Sequence, residues 1–272
     1  MKRNFHTHTT WCDGRCTPAA MAAAAVEMGF DALGFSSHAA PGWNDGVAIS
    51  TEEKLRAYAE DVRSLAAARR GEIKILLGVE ADYVPGRVTP DRSEYAAISP
   101  DYAIGSMHYV AAPDGAIFAF DHTPEILANG IRDHFNGSAE AFVKAYFAQE
   151  REMVSRFDFD VVGHPDLVRK FNVKHPYFDE SAAWYRDELE AAADAIAASG
   201  KIVEVNTGAI SRGWLDDAYP SARFRDALRS RGVRFILSSD AHFPQALDCA
   251  FDRFADAEEY LESPLQQKKA IK

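Results

Sequence analysis

Short apolar runs of β-forming residues alternate with longer amphipathic segments along almost the whole chain. A helix between two strands implies that those strands pair in parallel. No Gly-x-Gly-x-x-Gly motif follows the first run, and this favours a closed sheet over a Rossmann fold. The pattern predicts an α/β fold, a TIM-like (β/α)7 barrel, with strands at residues 3–6, 32–36, 74–80, 102–108, 161–164, 201–206 and 234–240.

Capping residues mark the ends of the predicted helices. The first helix has Thr17 as its N-cap, Pro18 at its first position and Gly29 after its end. Stretches that carry Pro, Gly, Asp or Asn are predicted as loops at the rim of the barrel: Ala39–Ser50, Tyr83–Asp91 and Ala111–Gly137. Further helices are predicted at Thr51–Arg70, Ser138–Phe157, Ser181–Ser199, Ser221–Arg231 and Asp256–Leu261.

Composition limits the classes of partner. The 272 residues are 47% hydrophobic, which suits one domain over residues 1–272, and their net charge of −11 repels nucleic acid and anionic membranes. We expect a small-molecule ligand; the sequence does not indicate an oligomeric state. Without a signal peptide or an apolar run of roughly 18 residues, and with only three cysteines, the protein is expected in the cytoplasm.

Metal-binding residue types collect at the ends of the predicted strands. Six of the nine histidines lie there, together with two carboxylates, and Asp13 follows the first strand. Because barrel enzymes keep their chemistry at the carboxyl ends of their strands, these side chains are expected to converge. The nine candidate ligands are His6, His8, Asp13, His38, Glu80, His108, His164, Asp240 and His242.

The number and type of these ligands indicate several metal ions. His6 and His8, two residues apart on an extended backbone, point to the same side, and the two oxygens of Glu80 can each serve one ion. Nine ligands are too many for one tetrahedral ion, so we expect two or three divalent ions. Imidazole with carboxylate and no thiolate suits Zn, Fe or Mn.

The ordered motifs resemble the PHP (polymerase and histidinol phosphatase) superfamily. They are His6-Thr7-His8, Ser37-His38, Gly78-Val79-Glu80-Ala81-Asp82, Gly105-Ser106-Met107-His108, Gly163-His164-Pro165-Asp166, Glu204-Val205-Asn206-Thr207 and Ser239-Asp240-Ala241-His242. Within it, the chain is most similar to stand-alone histidinol-phosphate phosphatases. The resemblance implies a distorted seven-stranded barrel with a trinuclear metal site, and hydrolysis of a phosphate monoester, L-histidinol phosphate, in histidine biosynthesis.

The resemblance also implies a role for each ligand. His6, His8, Glu80 and Asp240 would hold one ion, Glu80, His108 and His164 a second, and Asp13, His38 and His242 a third. A hydroxide bridging the ions would attack phosphorus, with Glu80 as the shared ligand and with Asp240 or His242 supplying a proton to the leaving group. Basic side chains beyond the strand ends would bind the phosphate, and the candidates are Arg169, Lys170 and Arg212.

Three other functions stay open on sequence grounds. An amidohydrolase-type metallohydrolase also opens with His-x-His, but it commonly bridges its metals with a carboxylated Lys, and no predicted strand here ends on Lys. A non-catalytic, metal-stabilised PHP scaffold and a broad-specificity PHP phosphoesterase are the others. Acidic residues in the presumed rim loops favour a substrate with a cationic organic part: Asp45, Asp82, Asp114, Asp121, Asp216 and Asp217.

Overall fold

Seven parallel strands follow one another around the sheet in chain order. This computed structural model describes residues 1–255. The strands of the main sheet are β1 (Arg3–Asn4), β2 (Ala32–Phe35), β3 (His38–Ala39), β4 (Lys74–Asp82), β5 (Tyr102–Ser106), β8 (Val161–Val162), β9 (Ile202–Asn206) and β10 (Phe235–Ser238), and β6 (Tyr109–Ala111) and β7 (Ile117–Ala119) form a separate hairpin. The helices are α1 (Pro18–Glu27), α2 (Glu52–Ala68), α3 (Pro124–His134), α4 (Ala139–Arg156), α5 (Ala183–Ser199), α6 (Gly208–Ser211) and α7 (Ala222–Ser230).

The last strand returns to the first, so the barrel is nearly closed. The backbone N–H of His8 donates to the Ala241 carbonyl at 2.8 Å, and the Ala241 N–H donates to the His6 carbonyl at 3.2 Å. The predicted seven-stranded α/β barrel is therefore confirmed. Four observed strands, β1, β5, β8 and β10, are shorter than predicted and end before the candidate ligands that follow them, whereas β4 extends two residues beyond the predicted end at Glu80.

Helix boundaries follow the capping residues. The Thr17 side chain accepts a hydrogen bond from the Ala20 N–H at the start of α1, and Thr51 accepts one from the Lys54 N–H at the start of α2. Gly29 has a φ of +74° just after α1, a backbone conformation that favours glycine. The helix predicted at Asp256–Leu261 lies outside the described residues. In the described part of the chain, no helix is long and apolar enough to cross a bilayer.

The prediction of a loop over Ala111–Gly137 was wrong. This segment contributes to the β6–β7 hairpin and contains the whole of α3. Thr123 caps α3 by accepting a hydrogen bond from the Ile126 N–H, and Leu127 is buried on one helix face. The Thr-Pro helix start was present in the sequence, but the surrounding Gly, Asp and Asn residues obscured it.

A layer of apolar side chains fills the barrel below the strand ends. The Tyr102 hydroxyl donates to the Phe5 carbonyl at 2.6 Å, which ties opposite walls together. Because side chains alternate along a strand, this layer is separate from the larger core between sheet and helices. It consists of Phe5, Ala32, Leu76, Tyr102, Ile104, Val161, Ile202 and Ile236, and it forms the floor on which polar side chains collect.

Glu150, on α4, is a buried carboxylic acid whose two oxygens have no hydrogen-bond partner within residues 1–255. Burial raises its pKa well above the ordinary value of 4.5, and the nearby Asp166 carboxylate adds to the shift. The contribution of Glu150 to stability is therefore complete below the unfolded-state pKa and is lost as pH rises through the folded-state pKa.

We expect Glu150→Gln to flatten the pH dependence of unfolding. Between about pH 5.5 and the folded-state pKa of Glu150, the free energy of unfolding of the wild type should fall by up to about 1.4 kcal/mol per pH unit because of this group. The variant should lack this part of the pH dependence. Urea unfolding of both proteins from pH 5.5 to 8 measures the difference. Glu140→Gln, which removes an exposed carboxylate paired with Lys144 on the same helix, is the control. Equal slopes for wild type and Glu150→Gln would show that Glu150 is ionised in the folded protein.

Candidate metal centre

All nine predicted ligands lie together at the carboxyl ends of the strands. Seven of them line a cavity of about 220 Å³: Asp13, His38, Glu80, His108, His164, Asp240 and His242. His6 and His8 are fully buried and lie against Glu80, with imidazole nitrogens 3.1 and 3.4 Å from its Oε2 atom. The barrel therefore brings side chains from along the whole described chain to one place.

Glu80 lies between two sets of histidines. Its Oε2 atom is 3.1 Å from His6 Nε2 and 3.0 Å from His38 Nδ1. Its Oε1 atom is 2.9 Å from His164 Nε2 and 3.5 Å from His108 Nε2. Because each oxygen faces different imidazoles, this carboxylate has the placement that a ligand shared by two cations requires.

The buried set around His6 has the spacing of a small coordination shell. His6 Nε2 and His8 Nε2 are 3.1 Å apart, and Asp240 Oδ1 is 3.1 Å from His8 Nε2. Ligands about 2.1 Å from a tetrahedral ion lie roughly 3.4 Å from one another. The 3.9 Å between His6 Nε2 and Asp240 Oδ1 is somewhat longer. These atoms could hold one ion together with Glu80.

A more exposed set lies at the rim. His242 Nε2 is 3.1 Å from Asp13 Oδ2, and the ligand atoms of His8, Asp13, His38 and His242 all lie within 4.8 Å of one another. His242 Nδ1 is 2.9 Å from the Asp240 carbonyl and 3.3 Å from Arg212 Nη1. A cation or a proton between His242 Nε2 and the Asp13 carboxylate would satisfy both groups.

Asp82 is a candidate ligand that the sequence analysis placed only among the acidic rim residues. Its Oδ1 atom is 2.6 Å from His108 Nδ1 and 3.6 Å from His38 Nδ1. The signal was available, because Asp82 lies two residues after Glu80 on one strand and therefore on the same side. Asp82 could bind an ion or, through its hydrogen bond, fix the orientation of the His108 ring.

Glu204 is a second residue whose role the sequence analysis missed, although the motif that contains it was identified there. Its Oε2 atom lies 2.9 Å from His6 Nδ1, and its Oε1 atom accepts the His164 backbone N–H at 2.9 Å. The Nδ1–H of His6 donates to this carboxylate, which leaves Nε2 free to bind a cation. Glu204 thus orients one candidate ligand and the backbone of another.

The donor set fits divalent metal ions. Glu80 Oε2 is buried and has no hydrogen-bond partner in the described part of the chain, although three imidazole nitrogens lie within 3.4 Å of it. A buried carboxylate oxygen without a hydrogen-bond donor destabilises the folded protein unless a cation lies beside it. Imidazole and carboxylate ligands suit borderline and hard divalent ions.

Two of the ligands have strained backbones. Asp240 has a φ of +50° and His164 a φ of +21°, where residues with side chains are uncommon. Such strain costs on the order of 1 to 3 kcal/mol per residue and persists only where surrounding contacts enforce it. A Cβ on Gly163 would lie 2.2 Å from Ser106 Oγ, so only glycine lets this backbone come so close.

The electrostatics of the site pair buried positive and negative groups. Although burial lowers the pKa of His6, the Glu204, Glu80 and Asp240 carboxylates raise it well above its usual value. Burial raises the pKa of Glu80, but His38, His6 and His108 hold it well below its usual range. These carboxylates therefore stay ionised and require positive charge beside them, either as protons on the histidines or as metal ions.

Two of the three basic residues predicted to bind phosphate line the cavity, namely Lys170 and Arg212. Arg212 Nη2 is 2.8 Å from Asp240 Oδ2, and its Nε atom has no hydrogen-bond partner within residues 1–255. A Cβ on Gly208 would lie 2.6 Å from Arg212 Nη2, so the glycine makes room for the guanidinium. Arg169 does not line the cavity, and its Nε atom instead donates to Glu180 at 3.1 Å.

Comparison with known sequences gives one consistent family. The sequence pattern of the PHP domain matches residues 4–208. A "Probable histidinol-phosphatase" of Deinococcus radiodurans is 31% identical over 257 residues, covering 93% of this chain and 89% of the relative. The histidinol-phosphatase of Bacillus subtilis is 24% identical, covering 94% of this chain and 98% of the relative.

Solved structures share the fold. A crystal structure from Listeria monocytogenes superimposes with a TM-score of 0.82 at 20% identity, covering 93% of this chain and all of the other. A histidinol phosphate phosphatase from Lactococcus lactis, solved with zinc, L-histidinol and phosphate, gives a TM-score of 0.68 at 20% identity. That match covers 95% of this chain and 94% of the Lactococcus chain.

Proposed function

Because the chain belongs to the PHP domain family, we propose that it is a metal-dependent phosphatase that hydrolyses L-histidinol phosphate to L-histidinol and phosphate. The observation that carries this proposal is the convergence of imidazole and carboxylate ligands around Glu80 in a cavity that Lys170 and Arg212 also line. The curated relatives in two bacteria are histidinol-phosphatases by name, which supports the substrate.

We assign three sets of ligands to two or three divalent ions, which would be Zn, Fe or Mn. When bound, the ions supply positive charge that neutralises phosphate oxygens and lower the pKa of water toward neutrality. The support for several ions is that the ligand atoms form four overlapping groups, and that Glu80 belongs both to the group with His6 and to the group with His164. The sets are His6, His8, Glu80 and Asp240; Glu80, His108 and His164; and Asp13, His38 and His242, with Asp82 as a further candidate beside His38 and His108.

The basic residues of the cavity have donors left for a phosphate. Lys170 Nζ donates to the carbonyl and the carboxylate of Asp121 at 2.6 and 3.0 Å, which leaves the third N–H of the ammonium group. The Arg212 side chain is 25% exposed and lines the cavity. Together the two cations would bind phosphate oxygens beside the candidate metal ligands.

The leaving alkoxide needs a proton, and a residue at the rim would supply it. His242 is the candidate because its side chain is 19% exposed and lines the cavity. When no ion occupies the set of Asp13, His38 and His242, a proton on Nε2, opposite the Asp13 carboxylate, would be available to the departing oxygen. The alternative is Asp240, which stays ionised beside Arg212 and would therefore orient a water that carries the proton.

Removal of metal is expected to abolish the activity. Dialysis against a chelator should lower phosphate release from L-histidinol phosphate by more than about 100-fold, since metal charge supplies several kcal/mol of transition-state stabilisation. Adding back Zn²⁺, Mn²⁺ or Fe²⁺ should restore it, and elemental analysis of the saturated protein should give more than one ion per chain. At most one ion at saturation would contradict the multinuclear assignment, and full activity of metal-free protein would contradict the proposed function.

A further inference from the structure

The proposed function explains the phosphate end of the cavity but does not say how the organic part of the substrate is recognised. Val47, Tyr109 and Leu167 also line the cavity, and the first two lie beside Asp45, where they form an aromatic and aliphatic wall. Trp43 packs edge-on against Tyr109, with ring centroids 5.6 Å apart. This wall suits a flat or apolar group, and it contains one fixed charge.

The structure divides the six acidic rim residues into two groups. Three of them form ion pairs away from the cavity: Asp114 with His134, Asp216 with Arg253, and Asp217 with Arg225. The other three line it, namely Asp45, Asp82 and Asp121. Only the second group can contact a substrate held by the metal ligands.

Asp45 alone of these three lacks a charged or imidazole partner. Asp82 is hydrogen-bonded to His108 at 2.6 Å, and Asp121 is paired with Lys170 at 3.0 Å. Asp45 forms no ion pair with any residue in the described part of the chain, 1–255, and its hydrogen-bond donors are the neutral groups of Val47, Ala48 and Tyr109. Its charge is therefore available to a ligand.

Neutral groups hold the Asp45 carboxylate in place. Its Oδ1 atom accepts the backbone N–H groups of Val47 and Ala48, each at 2.8 Å, and its Oδ2 atom accepts the Tyr109 hydroxyl. Although burial alone would raise the pKa of Asp45, these hydrogen bonds lower it, so the group is ionised at neutral pH. Three of about four lone-pair positions are used, which leaves one for a substrate.

We propose that Asp45 is a specificity-determining residue that binds a cationic group, ammonium or imidazolium, on the organic part of the substrate. The inference rests on the proposed phosphatase function and deepens it. A positive group beside Asp45 would gain a charge-assisted hydrogen bond and contact the face of Tyr109. An ester whose organic part is uncharged would leave the carboxylate unpaired. Asp45 would thus favour phosphate monoesters with a cationic organic part over those with an uncharged one.

The test compares two phosphate monoesters of similar size, L-histidinol phosphate and 3-phenylpropyl phosphate, whose organic part is uncharged. Asp45→Asn keeps the shape and the acceptor oxygen for Val47 and Ala48 but removes the charge. We expect kcat/KM for histidinol phosphate to fall about tenfold and kcat/KM for phenylpropyl phosphate to change less than about twofold. Affinity for L-histidinol, measured by calorimetry without turnover, should also fall about tenfold.

Two further variants separate charge from structure. Asp45→Ser also lacks the charge, and its hydroxyl can still accept a backbone N–H. It should lose the same selectivity as Asp45→Asn and replaces that variant in the test if Asp45→Asn folds poorly. Asp114→Asn removes an acidic residue outside the cavity and should leave the ratio of the two kcat/KM values unchanged.

The outcomes distinguish this inference from the proposed function. If the wild-type protein hydrolyses neither ester, the proposed function is wrong. If the wild type prefers histidinol phosphate and both charge-free variants keep that preference, the role of Asp45 is overturned and the phosphatase function stands. An equal loss on both esters would show that Asp45 supports the loop rather than selecting the substrate.

Discussion

Replacing Glu80 by Gln is expected to lower kcat/KM for phosphate release by at least about 1000-fold, or about 4 kcal/mol of transition-state stabilisation. The reason is that one substitution affects two groups of ligands. Oε2 faces His6 and His38, and Oε1 faces His164. Gln keeps the size of the side chain but loses the negative charge that both proposed cation sites share.

Metal content provides the second measurement for Glu80→Gln. Elemental analysis should show the loss of more than one equivalent of metal, whereas His38→Ala should lose at most one and retain more activity. Glu52→Gln, which removes an exposed carboxylate paired with Arg56, is the isosteric control and should keep full activity and metal. Equal residual activity and equal metal content in Glu80→Gln and His38→Ala would contradict a shared ligand.

Replacing Arg212 by Met is expected to raise KM and to lower kcat/KM by roughly 10- to 100-fold, which corresponds to about 1.4 to 2.7 kcal/mol. The guanidinium lies against Asp240 and its side chain is partly exposed to the cavity, so it can bind a phosphate oxygen while keeping its contact with the carboxylate. The methionine side chain has similar length but cannot donate a hydrogen bond or carry charge.

Because Arg212 also contacts a candidate metal ligand, its test needs a readout that does not depend on the metal. Inhibition by inorganic phosphate should weaken in Arg212→Met by a similar factor at full metal content, and Arg212→Lys should recover part of it. Lys170→Met serves as the comparison within the cavity, and Arg56→Met as the exposed control. Unchanged phosphate inhibition in Arg212→Met would place the phosphate elsewhere.

Local patterns in the sequence were enough to predict the barrel. Apolar runs and helix caps report local conformation, so α1 and α4 were predicted to within a residue or two at each end. The helix α3 was missed because its Thr-Pro start lies among loop-forming residues. Its amphipathic face becomes evident only where Leu127 and Ile131 pack against the core.

The sequence by itself also determined which side chains converge, because residues at the ends of parallel barrel strands must meet at one rim. In the structure, Glu80 and the eight other candidate ligands lie together at this rim. Only the tertiary structure decided which neighbours are paired. Arg169 is hydrogen-bonded to Glu180, whereas Arg212 lines the cavity. Glu204 orients His6 through a hydrogen bond, and Asp45 is held by neutral donors and has no ion-pair partner in the described part of the chain. Pairing depends on distances of a few ångströms between residues far apart in the chain, and these distances are fixed by packing rather than by sequence spacing.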